Sequence, residues 1–351
     1  MYRKILVPLD GSQLAEKVLP YAIQLTSRFQ AETVLLRVSG ASESQSLGMS
    51  KAYIEHMAEK VRMQLQEIPP KAQFSKGNVP AVIKTEILTG DAPSAILEYA
   101  EESKIDLIIM SKHGHSGIGH WLMGSVAHKV FSVSRIPVLI IHPMNMDNIV
   151  QSGWPRNVLV PLDGSKMSET VLSHVEDLFN QGQFGGEVTL VKVCEPPDLI
   201  ADYPAAIMQL SWEEHVKLAK SAAKEASLVY LGEKQKQLEA KGIKVNIEVV
   251  LGENAIPAIT RYIRERPFDL VAITTHGHSR ISVWPYGHVA DRIIQVNIKP
   301  LLLIRPLANA VPIAGQQNQN FKKGVRNEKN RNQRTGADRT YGTAPLYGGS
   351  S

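Results

Sequence analysis

Apolar positions follow two periodicities along the chain, and the alternation between them occurs twice. Short continuous apolar runs such as Ile5–Leu9 are typical of strands that are buried on both faces. Between these runs, apolar residues recur every three to four positions, as in residues 14–29, which predicts helices that bury one face. Strands that alternate with helices indicate a parallel sheet with right-handed crossover connections.

The first half contains five predicted strands: Ile5–Leu9, Thr33–Val38, Val82–Leu88, Leu107–Met110 and Val138–Ile141. Helices are predicted at residues 14–29, with a kink at Pro20, and at Lys51–Gln66. A third helix should follow Asp91, which is a suitable N-cap, and a fourth should begin near Gly124-Ser125.

An internal repeat divides the chain. The segment Leu6–Ser12 recurs as Leu159–Ser165 at an offset of 153, and His113–Ser116 recurs as His276–Ser279 at an offset of 163. Several matches in the same order indicate a duplicated unit. The sequence therefore predicts two α/β domains, residues 1–145 and 154–306. Each should hold an open, doubly wound, parallel five-stranded sheet.

The second copy is longer by about ten residues, mainly within residues 195–242. This segment contains a predicted helix, with Ser211 and Glu214 as a capping box and Gly242 as the C-terminal stop.

The net charge of the chain is concentrated at its C-terminal end. Residues 311–351 carry seven Lys or Arg and two acids, so this segment accounts for the whole net charge of +5. Residues 307–351 are poor in apolar side chains and are predicted to be a disordered basic tail. The folded copies therefore give no reason to expect a nucleic-acid groove, and only a contact between the tail and an anionic partner stays open.

The amino-acid composition also indicates the cellular compartment in which the protein is expected. Cys194 is the single cysteine, which excludes an internal disulfide framework. No apolar run approaches the ~18–20 residues of a membrane helix, and no secretory signal is visible. We therefore expect a soluble cytoplasmic protein with no membrane partner.

A candidate site joins the end of the first strand to the loop after the fourth. Glycine allows close backbone approach, and a helix N-terminus supplies N–H donors for phosphate, which Gly124-Ser125 would provide. Asp10 could accept hydrogen bonds from ribose hydroxyls. From the residues alone, it stays open whether these glycines only make turns and Asp10 only caps the next helix.

The spacing of these residues resembles the universal stress protein family. That family has G-x2-G-x9-G-(S/T) after its fourth strand and Pro-x-Asp near the end of its first. Ser111 here replaces the leading glycine of the motif. The resemblance implies a Rossmann-like fold related to adenine nucleotide alpha hydrolases, and binding of ATP with or without Mg²⁺. The residues that it assigns to the nucleotide in the first copy are Pro8, Leu9, Asp10, Val38, Met110, Ser111, Gly114, Gly124, Ser125 and Val126.

The second copy departs further from the family pattern. His288 stands where Ser or Thr is expected, Thr274 replaces the leading glycine, and Trp284 and Pro285 crowd the loop. ATP is therefore expected mainly in the first copy. The corresponding residues of the second are Pro161, Asp163, Val193, Gly277, Gly287 and His288.

The favoured interpretation is a nucleotide-binding stress-response regulator without an assigned catalytic residue. Two alternatives stay open: a dimerising scaffold that binds no nucleotide, and a weak ATP hydrolase or adenylate-transferring enzyme. Neither a P-loop lysine motif nor a dinucleotide fingerprint follows the first strands. The histidines of the loop, His113, His115, His120 and His128, lack regularly spaced acidic partners, so no metal site is predicted.

The resemblance also implies that the two copies pair as an internal pseudo-dimer. The strands that would pair are Val138–Ile141 and Leu301–Ile304, both short apolar runs preceded by proline. Further homo-oligomerisation stays open.

Overall fold

The structure is a computed structural model, and residues 1–308 form one compact unit in it. It describes residues 2–40, 47–68, 81–114, 123–142, 154–179, 185–195, 211–252, 254–275, 288–296 and 299–306. The predicted disorder of residues 307–351 concerns a segment outside these ranges.

The first copy holds a parallel sheet with the strand order β3-β2-β1-β4-β5. Its strands are β1 (Lys4–Pro8), β2 (Glu32–Ser39), β3 (Val82–Thr89), β4 (Leu107–Ser111) and β5 (Val138–Ile141). The β4 and β5 strands are buried throughout, as expected for strands that helices cover on both faces. Each predicted strand is confirmed, with its ends shifted by at most one residue.

The helices of the first copy are α1 (Gln13–Glu16), α2 (Leu19–Phe29), α3 (Leu47–Glu67), α4 (Ala92–Glu102) and α5 (Ser125–Val133). Asp91 caps α4 as predicted, since its side chain accepts a hydrogen bond from the backbone N–H of Ser94. The predicted kink at Pro20 is wrong. The chain instead forms two separate helices, and Pro20 lies in the first turn of α2, where its missing N–H costs no helical hydrogen bond.

The second copy repeats this arrangement. Its strands are β6 (Asn157–Pro161), β7 (Glu187–Cys194), β8 (Lys244–Leu251), β9 (Leu270–Thr274) and β10 (Leu301–Ile304). Its helices are α6 (Lys166–Glu169), α7 (Val171–Phe179), α8 (Trp212–Glu239), α9 (Ala255–Glu265) and α10 (His288–Val296). The predicted capping box of Ser211 and Glu214 is present at the start of α8, and Gly242 follows that helix with φ +78°. None of the described helices is long and apolar enough to cross a membrane.

The two half-sheets join into one ten-stranded sheet, because β5 and β10 pair in antiparallel orientation. Leu302 lies opposite Leu139 in this pair. The predicted pairing of the fifth strands is therefore confirmed. Since all strands of a copy run in one direction and β5 opposes β10, the carboxyl ends of the two sets of strands lie at opposite edges of the sheet.

The paired strands contribute side chains to both faces of the sheet. Leu139 and Leu302 belong to a buried cluster with side chains of α2, α3 and α7. Val138 and Leu303 point into a second cluster with side chains of α4, α5, α9 and α10. This alternation follows from the two-residue period of a strand. The hydrophobic core therefore continues from one copy into the other on both faces.

A repeated aspartate holds the start of the first strand in each copy. The Asp106 carboxylate accepts hydrogen bonds from the backbone N–H groups of Arg3 at 2.8 Å and Lys4 at 2.9 Å. Asp269 accepts the equivalent bonds from residues 156 and 157. The aspartate that precedes the fourth strand of each copy thus has a structural role away from the candidate site.

Candidate functional site

Asp10 and Gly114 meet at the carboxyl edge of the first copy. They follow β1 and β4, which are neighbours in the sheet. One carboxylate oxygen of Asp10 accepts hydrogen bonds from the backbone N–H of Ser12 at 2.9 Å and from its hydroxyl at 2.6 Å. The other oxygen would lie 2.2 Å from a Cβ at position 114. Only glycine at 114 lets the loop approach the Asp10 carboxylate this closely.

Gly124 and Ser125 form the start of α5 at the same edge. Gly124 is the N-cap, and its N–H donates to the backbone carbonyl of Lys112 at 2.9 Å, so the two ends of the loop are tied together. The first N–H groups of a helix have no acceptor within the helix and carry the positive end of its dipole. Ser125 is exposed there. The arrangement can therefore accept an anion.

Gly124 differs from Gly114 in what the fold requires. Its φ of −58° and ψ of 147° are accessible to any residue. A Cβ at position 124 would have the Lys112 carbonyl oxygen as its nearest neighbour, at an ordinary contact distance of 3.5 Å. The described protein atoms therefore give no steric reason for glycine at this position.

The remaining predicted residues of the first copy lie at the same edge. Pro8 is the last residue of β1, and buried Leu9 follows it and donates to the Leu36 carbonyl at 2.8 Å. Buried Met110 and Ser111 end β4. Val38 and Val126 are partly buried, and both pack against the apolar cluster between the sheet and helices α4 and α5.

Lys112 lies in the loop after β4, but its side chain points towards the second copy. Its side chain is buried, and its ammonium donates to the Gln295 carbonyl of the second copy at 3.0 Å. Burial lowers the pKa of Lys112. The ring of His113 packs edge-on against that of His142, with their centroids 5.8 Å apart. Burial, together with the positive charge on Lys112, lowers the pKa of His142 to about 4.

The cross-copy contact of Lys112 was not foreseen from the sequence. The acceptor is a backbone carbonyl 183 positions away, and no residue type in the sequence signals such a partner.

The second copy shows part of the equivalent site. Pro161 ends β6, and the Asp163 carboxylate accepts from the backbone N–H of Ser165 at 2.8 Å. Val193 is partly buried near the end of β7, and Thr274 ends β9. Gly277 and Gly287 lie outside the described residues. His288 is the first residue of α10, and its side chain is not described.

Comparison with known proteins decides the family. The sequence model described as the universal stress protein family matches residues 1–142 and 155–305, which is more than half of the chain. The chain belongs to the universal stress protein family. Its two matched ranges correspond to the two copies of the sheet, so it is a tandem member of that family.

Named relatives of one-domain and two-domain length agree with this assignment. A universal stress protein of Methanocaldococcus jannaschii is 32% identical over 141 residues, which cover 40% of this chain and 82% of the relative. A universal stress protein of Synechocystis sp. is 24% identical over 323 residues, which cover 86% of this chain and 100% of the relative. The latter protein spans both copies.

A solved structure shares the tandem fold. The crystal structure of a universal stress protein from Archaeoglobus fulgidus matches with a TM-score of 0.55 and 24% sequence identity. The match covers 86% of this chain and 98% of that chain. The Rossmann-like α/β fold predicted from the sequence is therefore confirmed.

Proposed function

We propose that this universal stress protein binds ATP in its first copy, at the carboxyl ends of β1 and β4, and serves as a nucleotide-dependent stress-response regulator. The observation that carries the proposal is Gly124, at the exposed start of α5. The fold itself has room for a side chain at position 124. A phosphate group bound at the helix N-terminus would need that space, so glycine there fits a bound phosphate.

The other residues of the edge support different parts of the nucleotide. The Asp10 carboxylate, fixed by Ser12, is suited to accept hydrogen bonds from ribose hydroxyls. Val38 and Val126 offer apolar surface for a base, since both are only partly buried. Phosphates at the start of α5 would then complete the ligand.

The same groups favour binding over efficient catalysis. Phosphoryl transfer needs positive charge close to the phosphates and an oriented nucleophile. The ammonium of Lys112 is instead engaged by the Gln295 carbonyl. Asp10 could share a Mg²⁺ ion that arrives with the nucleotide, because Mg²⁺ is commonly held by one or two carboxylates plus phosphate oxygens. We therefore propose slow hydrolysis at most.

We assign ATP mainly to the first copy because His288 occupies the helix position that Ser125 has there. An imidazole is bulkier than a hydroxymethyl group at the point where phosphate would approach. The free cysteine Cys194 is buried and compatible with a reducing setting such as the cytoplasm, which we propose as the location.

A second candidate function is a scaffold that works through its paired copies without nucleotide. The observation in its favour is the continuous core across β5 and β10, which needs no ligand.

Calorimetric titration with ATP tests both candidates. We expect one site per chain in the wild-type protein and at least about tenfold weaker binding in Gly124→Val, because the added methyl groups would occupy the space of a phosphate oxygen. Gly232→Val is the matched control, since a Cβ at position 232 of α8 meets no atom within 4 Å. Equal affinity of wild type and Gly124→Val would refute the site. Two equal sites would refute the asymmetry, and no binding at all would favour the scaffold.

A further inference from the structure

Two cationic side chains cross the junction between β5 and β10 in opposite directions. The Lys112 ammonium of the first copy donates to the Gln295 carbonyl at 3.0 Å, in the last turn of α10. The Arg305 guanidinium of the second copy donates to the Ser132 carbonyl, in the last turn of α5. Ser132 and Gln295 are separated by 163 positions, the offset of the repeat, so the two acceptors occupy equivalent positions, whereas the two donors do not.

Each contact joins groups that need a partner. The last four carbonyls of a helix have no donor within the helix, and they carry the negative end of its dipole. A cation at this end satisfies a carbonyl and interacts favourably with the dipole. The side chain of Lys112 is only 3% exposed, so water competes little for its ammonium.

The helices that receive these cations begin at the candidate sites. Helix α5 starts at Ser125 in the first copy, and α10 starts at His288 in the second. Each helix connects two parallel strands of its own copy, so it runs from the site of that copy towards the opposite edge of the sheet. Because the two copies are antiparallel, that opposite edge carries the carboxyl ends of the strands of the other copy.

The backbone of Lys112 connects its side chain to the loop. Its N–H donates to the Ile141 carbonyl at the end of β5, at 2.8 Å, and its carbonyl accepts from Gly124 N–H at 2.9 Å. A single residue therefore links the end of β5, the N-cap of α5 and the last turn of α10.

We propose that Lys112 and Arg305 are positioning residues through which the second copy holds the anion-binding loop and helix of the first copy in place. Lys112 fixes the loop at the start of α5, and Arg305 fixes the far end of that helix. The second copy then supports the first site whether or not it binds nucleotide itself. The ligand in this inference rests on the proposed function, whereas the positioning does not.

A variant at Arg305 distinguishes a positioning role from direct contact with phosphate. The Ser132 carbonyl that it engages lies seven residues after Ser125, which is about 10 Å along the helix axis. A change at Arg305 can therefore affect a ligand at the start of α5 only through the helix. Lys112, by contrast, lies in the loop itself.

The equivalent positions of the other copy indicate which substitutions to use in the test. The second copy has Thr275 at the position of Lys112, and Thr275 keeps the same backbone bond, to the Ile304 carbonyl at 2.9 Å. The first copy has His142 at the position of Arg305. Lys112→Thr and Arg305→His therefore introduce side chains that this fold already accommodates at equivalent positions.

Two measurements on the full chain are needed: hydrogen exchange of residues 111–114 and 124–128 without nucleotide, and ATP affinity by calorimetry. In Lys112→Thr and Arg305→His we expect roughly tenfold faster exchange in these segments and about three- to tenfold weaker ATP binding. Lys112→Arg and Arg305→Lys, which keep a donor, should restore most of both. Lys129→Met removes an equal charge from the exposed face of α5 and should behave as wild type.

The outcomes separate the positioning role from the proposed function. Unchanged exchange in Arg305→His would overturn the positioning role. So would a loss of ATP affinity in Lys112→Thr alone without faster exchange, because Lys112 would then act as a direct phosphate ligand. Faster exchange in a protein whose wild type binds no ATP would leave the positioning role standing and refute the proposed function.

Discussion

Leu302→Lys should disrupt the junction between the two copies. Leu302 is 1% exposed and pairs directly with Leu139, which is 2% exposed, in the antiparallel ladder of β5 and β10. Both side chains lie in the apolar cluster under α2 and α7. An ammonium group at position 302 would therefore have to lie among apolar side chains from both copies.

The expected cost has two parts. Loss of a fully buried leucine removes about 2 kcal/mol of hydrophobic stabilisation. Burial of a lysine disfavours its charged form, and lowering its pKa by about three units costs about 4 kcal/mol near neutral pH. The sum, about 6 kcal/mol, is comparable with the whole unfolding free energy of many proteins.

Urea unfolding followed by circular dichroism, with small-angle scattering of the native protein, measures this effect. We expect a much lower midpoint in Leu302→Lys, or two transitions if the copies separate before they unfold. Leu251→Lys is the matched control, because Leu251 ends strand β8 and is 53% exposed. Its change should stay within about 0.5 kcal/mol. If both variants kept the midpoint and the scattering profile of the parent, the paired strands would not be what holds the copies together.

Two further changes test the packing of the first copy. Asp106→Ala leaves the N–H groups of Arg3 and Lys4 without their carboxylate acceptor, so it should lower the unfolding free energy by about 1–2 kcal/mol in urea titrations. Asp106→Asn should cause a smaller loss. Equal stability of the wild type and both variants would contradict this role of Asp106. The pKa of His142 is lowered to about 4, so the unfolded chain binds the extra proton between about pH 6.5 and pH 4, and stability should fall as the pH falls through this window. His142→Gln should reduce the slope of unfolding free energy against pH by up to about 1.4 kcal/mol per pH unit, and an identical slope would show that His142 is not neutral in the folded protein.

The sequence was sufficient for elements whose signals are local. The strands could be recognised because parallel strands covered on both faces are continuous apolar runs, as in Val138–Ile141. The start of α5 followed from Gly124-Ser125, and the sequence had assigned Asp10 and Gly114 to one candidate site, although the pairing of their strands is known only from the structure. Local signals therefore predicted both the sheet and the edge where the candidate site lies.

Contacts that use backbone groups could not be predicted in this way. The partners of Lys112, Arg305 and Asp106 are all carbonyls or N–H groups, which every residue type carries. The break before Pro20 was also misjudged, because a proline tolerated in a first turn has the same sequence signature as one that bends a continuous helix.

The junction of the two copies has a consequence for how such a protein can diverge. In a homodimer of separate chains, one substitution appears twice, once on each side of the symmetry axis. Here both halves are encoded in a single chain, so position 112 can be lysine while its counterpart is Thr275, and position 142 can be histidine while its counterpart is Arg305. The presence of both halves in one chain thus removes the obligation that they change together, and one half can lose or gain a function while the other keeps its own.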